Sequence, residues 1–383
     1  MKPRKALYIS PIDMWSENGI AHGQRQLLAA VCSVYDEVDV LSAGAPIRKA
    51  RGWLAKSGFR VNLLQGFYPW LTWLNTMAWY GGGVILCNKL RWIDRFYFPL
   101  RTPLPKRWIE KYDRIVCYYA WHFQLLSLHR AGAKVVVDTS DVMADRHERI
   151  GTRRWISLTA ADEGALLRSE ARCLAVSQDD AAEFQRIYGV RPQVLSFVPQ
   201  GSAELIAVAS GERPRRLGFM GAPSYVNEEI LRLLARREFL ETLTEAGIEL
   251  LIAGGICATA DAAILRSLER QGARILGRVE SAAEYYAQIG ATVNPVGPST
   301  GVKIKSVETL VAGRSLITTQ WGADANLAAA FPGQVAYIDW PMGAGKLGKL
   351  CTQVVLQAPQ VGSVAGEAYV LNATRALEEM LKP

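Results

Sequence analysis

Histidine is scarce in this 383-residue chain, and cysteine is scattered. The four histidines form no zinc motif. The six cysteines, Cys32, Cys87, Cys117, Cys173, Cys257 and Cys351, stand far apart, and no two share a metal-ligand spacing. No metal site is therefore expected. No Gly-x-Gly-x-x-Gly follows the first strand, which disfavours a Rossmann oxidoreductase or epimerase, and no Gly-Lys-Ser/Thr exists, which disfavours a P-loop kinase. No apolar leader follows Met1. "KPRKALYIS" runs from a short basic start straight into a strand, and with reduced thiols this predicts a cytoplasmic protein. Short repeats and low-complexity tracts are absent. Half the residues are hydrophobic and 21% are charged, so the chain is globular and long enough for two domains.

Charge is missing altogether from residues 61–88. That run is long enough to cross a bilayer, but Asn62, Gln65, Pro69, Thr72, Asn75, Thr76 and three consecutive glycines interrupt it. A helix lying in a membrane interface, or partly buried against the domain, is expected instead. Around this run the balance is basic. Residues 42–114 hold thirteen Lys/Arg against three Asp/Glu, a local net of +10, while the whole chain is +8. The same segment holds six of the eleven tryptophans: Trp53, Trp70, Trp73, Trp79, Trp92 and Trp108. A basic, Trp-rich patch suits an anionic membrane surface. Trp53, Trp70, Trp73, Trp79 and Trp92, with Arg91 and Arg95, form the expected membrane or acceptor contact. The alternative is a long insertion whose aromatics pack on the core.

Outside that segment, strand and helix alternate. "KALYIS", "EVDVL", "DRIVCYYA", "KVVVD" and "CLAVS" read as strands, with helices such as "IAHGQRQLLAAVCSVY" and "QDDAAEFQRIYG" between them. A weakly patterned stretch at 198–216 reads as a linker. A second series follows: "RLGFMG", "ELLIAGG", "ARILGRV", "ATVNPV" and "SLITT", with helices at 226–236 and 281–288. The fold class is α/β, with two Rossmann-like halves built on parallel sheets facing a central cleft. The divisions are 1–200, 215–362 and a C-terminal helix at 363–383.

The sharpest local signal is "NPVGPSTGVKIKSVETLVAGRSLITT", residues 294–319. It predicts strand, small-residue loop, a helix from about Val302 to Ala312, a stop at Gly313, and strand. Lys303 and Lys305 fall in the first helical turn, where the dipole disfavours cations by roughly 0.3–1 kcal/mol each. An anion at that N-terminus would reverse the sign of the effect. Glu308, one turn inside, could accept hydrogen bonds from vicinal hydroxyls such as those of a ribose. Loop, lysines and carboxylate together describe a nucleotide-diphosphate site. The plain alternative is solvated lysines with Glu308 paired to one of them.

"GPSTGVKIKSVETLVAGRSLITTQWG" resembles the donor-site signature of GT-B fold glycosyltransferases, especially glycosyltransferase family 4 (glycosyl transferases group 1). "GFMGAPSYVNEEILRLL", "LLIAGG" and "RILGRVESAAEYYAQIGATVNPV" are similar to the earlier parts of that family's C-terminal domain. "ENGIAHGQRQLLAAV" and "KVVVDTSDVMADR" resemble parts of its N-terminal domain. The resemblance covers about two thirds of the chain and excludes the basic aromatic segment. It implies a C-terminal helix that crosses back to the N-terminal domain. It also implies a donor site: Gly19 approaching the donor phosphates; Gly221 after the opening strand of the second domain; Ser299 and Thr300 lining the sugar; Gly301, Lys303, Lys305 and Ser306 on the diphosphate; Glu308 on the ribose. With the phosphates held by protein groups, no metal and no cofactor is required. A UDP- or GDP-sugar is the expected donor substrate.

The sequence departs from the family at two places. Retaining members carry a further Glu eight positions before the ribose Glu, where this chain has Thr300, and many carry a His where it has Ser140. Retention or inversion of the anomeric configuration stays open. An inverting reaction needs a general base. Asp141, just past a strand end, is the first choice, with Asp145, Asp13, Glu17 and His22 as reserves; capping or loop roles are the commoner fate of such residues. The acceptor implied is a lipid-linked or saccharide molecule at the inner face of a membrane, in polysaccharide or surface-glycan synthesis. The rivals are a non-catalytic GT-B-like partner subunit and a basic nucleic-acid-binding protein. Against the latter, the charge is local, mixed with tryptophan and free of any nucleic-acid motif.

Overall fold

The computed structural model describes residues 3–10, 19–93, 96–144, 158–299, 301–357 and 362–382. Asp13, Glu17, Arg95, Asp145 and Thr300 lie outside the described residues, as does the side chain of Trp53. The chain divides into two compact units. The first comprises Met1–Ser196 with Thr374–Pro383, and the second Phe197–Ala373.

The first unit is built on seven parallel strands: β1 (Lys5–Ser10), β2 (Glu37–Ser42), β3 (Asn62–Leu63), β4 (Arg114–Tyr118), β5 (Val135–Asp138), β6 (Arg172–Ala175) and β7 (Gln193–Val194). Their order in the sheet is β3-β2-β1-β4-β5-β6-β7. The central strands are apolar at nearly every position, as a parallel sheet covered on both faces requires, and all of β4 and β5 is buried. The second unit has β8 (Arg216–Met220), β9 (Glu249–Ala253), β10 (Arg274–Gly277), β11 (Ala291–Asn294), β12 (Ser315–Thr318) and β13 (Val335–Tyr337), in the order β10-β9-β8-β11-β12-β13, again all parallel. Along β9 the side chains alternate between two cores. Leu250 and Ile252 join Phe239 and Leu347, whereas Leu251 and Ala253 join Tyr286 and Val311. The period of two therefore feeds both helical layers. In each unit the strand order reverses beside its first strand, between β1 and β4 and between β8 and β11. At such switch points the strand ends of an open sheet leave room for a ligand.

Three readings change. Residues 198–216 are not a bare linker: they contain helix Ser202–Ala209, whose Leu205 is buried in the second unit beside Leu310 and Phe331. The basic aromatic segment contributes β3 to the first sheet, besides helices Ile47–Ser57, Phe67–Gly82 and Lys106–Lys111. Trp79 cannot meet a membrane or acceptor. It is 6% exposed, its indole donates to the Phe96 carbonyl at 2.7 Å, and its ring stacks on Phe98.

The last helix, Val364–Leu381, begins in the second unit and ends in the first. Leu377, Met380 and Leu381 sit in the first unit's core. Buried Arg114 donates from Nε to the Leu381 carbonyl at 3.2 Å and from its terminal nitrogen to Lys382, Arg172 reaches the Met380 carbonyl at 3.1 Å, and the Tyr35 hydroxyl donates to Leu381 at 2.6 Å. Two cations and a phenol thus occupy the negative end of that helix, where its carbonyls lack intrahelical partners.

Candidate functional site

The switch point of the second unit opens between β8 and β11, and the chain leaving β11 forms the small-residue loop. Two threonines fasten it. Thr318 Oγ1 donates to the Asn294 carbonyl and Thr319 Oγ1 to the Val296 carbonyl, both at 2.6 Å. Buried Asn294 donates through Nδ2 to Ser306 Oγ at 3.1 Å, which ties the strand end to the first turn of the next helix. Gly301 has φ +74°, a conformation that a side chain disfavours.

The helix itself runs Ile304–Val311, shorter than the sequence suggests. Lys303 is its N-cap residue, with extended backbone, so only Lys305 lies in the first turn. The far end matches expectation. Gly313 is left-handed, its N–H reaches Leu310, and the Arg314 N–H reaches Thr309.

Lys305 is held on two sides. Its Nζ donates to Asn227 Oδ1 at 2.9 Å and lies 4.5 Å from the centre of the Phe219 ring, an attraction of about 0.5–2 kcal/mol. Asn227 is fixed by donating its own Nδ2 to the Ala222 carbonyl at 2.8 Å. Gly221 makes room for that amide, since a Cβ there would stand 3.1 Å from the Asn227 side-chain carbon. Burial draws the Lys305 ammonium down to about 7, Lys303 pushes it the same way, and Glu308 opposes both. Lys303 turns back on its own loop, donating to the Gly301 carbonyl at 2.8 Å. Glu308 is 6% exposed, and burial raises its carboxyl to about 7 against the Tyr286 hydroxyl and Lys305. The Tyr286 hydroxyl lies 3.2 Å from Glu308 Oε2 and 3.1 Å from the Lys305 carbonyl.

The second unit therefore gathers Gly221, Gly301, Lys303, Lys305, Ser306 and Glu308, with Ser299 on the same loop, its hydroxyl on the Gly297 carbonyl at 3.0 Å. The sequence reading missed Asn227, Phe219 and Tyr286. The quoted similarity at 218–234 spans two of them, but only folding brings them to the lysine. Chemically the site offers a cationic helix N-terminus for an anion and a carboxylate one turn away for hydroxyls.

The remaining candidates belong to the first unit. Gly19 starts helix Gly19–Val34. His22 lies in that helix; burial and Arg25 bring its imidazole down to about 4, which leaves it neutral at pH 7. Asp141 is buried past the end of β5, with its N–H on the Thr139 carbonyl at 2.7 Å. A second carboxyl that sequence reasoning passed over is Asp138, the last residue of β5. It accepts from the Ser140 N–H at 2.8 Å, and burial lifts it to about 6. Ser140 has a left-handed φ of 59°, so the turn carrying Asp141 is held in a costly conformation by the Asp138 carboxylate. Trp70 and Trp92 are exposed, Trp73 is half-buried, and Arg91 is exposed.

Residues 214–333 match the family described as glycosyl transferases group 1. A search of curated proteins by sequence found no match. Among solved structures, the chain is similar over 99% of both chains to HepE of Anabaena, determined with UDP and glucose (TM-score 0.62, 11% identity). It is similar over 100% of both chains to the pneumococcal O-GlcNAc transferase GtfA, determined with UDP and GlcNAc (TM-score 0.59, 10% identity). It is also similar to WaaG, a glycosyltransferase involved in lipopolysaccharide biosynthesis, over 97% of this chain and 95% of that one (TM-score 0.54, 14% identity). Residues 214–333, with the lysine-fronted helix inside them, are thus similar to the glycosyl transferases group 1 family, on a chain with the fold of the GT-B glycosyltransferases.

Proposed function

We propose that the protein is a glycosyltransferase that moves a sugar from a nucleoside-diphosphate sugar to a lipid-linked or saccharide acceptor at the cytoplasmic face of a membrane. The observation that carries the reading is Lys305, clamped at a helix N-terminus by Asn227 and Phe219, with buried Glu308 one turn behind it. Neither group satisfies the other's charge fully, and a ribose diphosphate would complete both. In this reading Glu308 accepts from the ribose hydroxyls, while Lys303, Lys305 and the first amides of the helix hold the diphosphate. Those donors are in place before reaction and face the charge that grows on the leaving nucleoside diphosphate as the glycosidic C–O bond breaks. No divalent cation is then needed for charge neutralisation. The UDP seen with HepE and with GtfA supports a UDP-sugar, and the involvement of WaaG in lipopolysaccharide synthesis supports a lipid-linked glycan acceptor. The acceptor hydroxyl would be deprotonated by a carboxylate. Asp141 is the first choice of base and Asp138 orients its turn.

Calorimetry against UDP-, GDP-, ADP- and TDP-sugars in EDTA, with Glu308→Ala alongside, tests this. One nucleotide class should bind, and the variant should lose at least about tenfold in affinity, the loss of hydrogen bonds to a charged group. If no nucleotide sugar binds and the variant matches the parent, the site is scaffold. A non-catalytic partner subunit then becomes the better reading, in keeping with Thr300 and Ser140 in place of the family's Glu and His.

A further inference from the structure

Helix Phe67–Gly82 is unusual for a surface helix in water, because it buries polar groups on its inward side and leaves large apolar groups on its outward side. Its inward side carries Thr72, Asn75 and Thr76 beside Pro69 and Trp79, all buried. Its outward side carries Phe67, Trp70 and Leu74, exposed at 73%, 46% and 41%. The inward polar groups are satisfied. Thr72 and Thr76 donate to the carbonyls one turn back, at 3.0 and 2.9 Å, and Asn75 holds both the N–H and the carbonyl of Leu100. Neither face carries a charge. The apolar surface continues beyond the helix through Leu90 and Trp92, the latter 74% exposed. Large apolar side chains left in water on one side of a helix mark a contact surface.

Charge decides between the partners that could cover it. The segment's net +10, with Lys89 and Arg91 exposed on either side of Leu90, would repel a second copy brought face to face. The same charge is attracted to an anionic lipid surface, and Trp with Lys/Arg is the composition that such an interface favours. A 16-residue helix is about 24 Å long, and no described helix is long and apolar enough to cross a membrane. The helix would therefore lie flat and not span.

We infer that the outer face of helix Phe67–Gly82, with the Leu90–Trp92 turn, inserts into the headgroup–acyl boundary of an anionic bilayer, while the basic residues beside it meet the headgroups. This deepens the membrane part of the proposed function and does not depend on its donor chemistry. The helix docks by burying apolar side chains, and the cations restrict it to anionic surfaces.

The test is co-sedimentation of the full chain with vesicles of phosphatidylcholine plus phosphatidylglycerol and with phosphatidylcholine alone, at low and high salt. The double variant Phe67→Glu/Leu74→Glu is compared with Leu371→Glu, an exposed site in the last helix. The parent and Leu371→Glu should bind the anionic vesicles at low salt and release at high salt. The double variant should bind them about tenfold more weakly or worse, with its unfolding temperature and UDP-sugar binding unchanged. Three results overturn the inference: no vesicle binding by the parent, equal binding to neutral vesicles, or undiminished binding by the double variant. A parent dimer that the double variant renders monomeric, without change in vesicle binding, would assign the face to self-association. Because vesicle and nucleotide binding are read separately, failure of one reading leaves the other standing.

Discussion

At the scale of single residues, Lys305 and Glu308 set a pH response that can be worked out from their environments. Glu308 titrates near 7 instead of its usual carboxylate range, and Lys305 near 7 instead of above 10, because both are taken out of water. In the proposed donor complex, phosphate requires charged Lys305 and ribose requires ionised Glu308. Donor affinity should therefore peak near pH 7 and fall on both sides. The acid limb should vanish in Glu308→Gln and the alkaline limb in Lys305→Arg, which calorimetry across pH 5.5 to 8.5 would read. Stability without nucleotide has the opposite sign. Glu308, raised on folding, contributes stability that is lost as pH rises through about 7; Lys305, lowered on folding, contributes stability that is lost as pH falls through about 7. The contribution of this pair to stability should thus be smallest near the pH where the donor binds best, read without ligand as the difference in unfolding temperature between the parent and Glu308→Gln/Lys305→Met across that range. A flat profile would mean that the two groups are better solvated than their burial implies.

At the scale of elements, the inside-out helix makes a prediction in water alone. Asn75→Leu should destabilise by about 1–3 kcal/mol, since it strips both hydrogen bonds from Leu100. Leu74→Lys, one residue away but facing outward, should cost under about 0.5 kcal/mol in the absence of lipid. Equal costs at the two positions in urea unfolding would contradict the assignment of faces. The sequence shows that residues 61–88 are uncharged and interrupted by polar groups, but it does not show which side those groups take, because Thr72, Asn75 and Thr76 fit either face until Leu100 is placed. Elsewhere legibility follows physical strength. The Val- and Ile-rich central strands are readable because both faces are buried. The missed β3, β7 and β13 are edge or near-edge strands of two or three residues, too short to show a period. Helix Ser202–Ala209 hides between Gly201 and Gly211, whose punctuation reads as loop. The lysine–glutamate pair is local in sequence and could be found, whereas Asn227 lies 78 residues from Lys305 and no periodicity links them.

At the scale of the molecule, two parallel sheets of nearly the same strand order carry separable tasks. The second holds the lysine-fronted site; the first holds the basic apolar face and the candidate bases. The last helix belongs to both. Truncation after Ala373 should remove Leu377, Met380 and Leu381 from the first unit's core and strip buried Arg114 of the Leu381 and Lys382 carbonyls, leaving it the Ala133 carbonyl. Leu→Ala changes in such cores cost about 2–5 kcal/mol each. Differential scanning calorimetry should show the first unit's transition lowered or lost while the second persists; an unchanged first transition would refute this. The same clamp has a consequence for synthesis. The first unit leaves the ribosome before the second, yet part of its core is encoded beyond the second unit, in residues 374–383. It must wait for the entire second unit to be translated before Arg114, Arg172 and Tyr35 can grip the chain's end. The unit that carries the exposed apolar helix is therefore completed only after the unit that follows it in sequence, and it is open to chaperones throughout that interval.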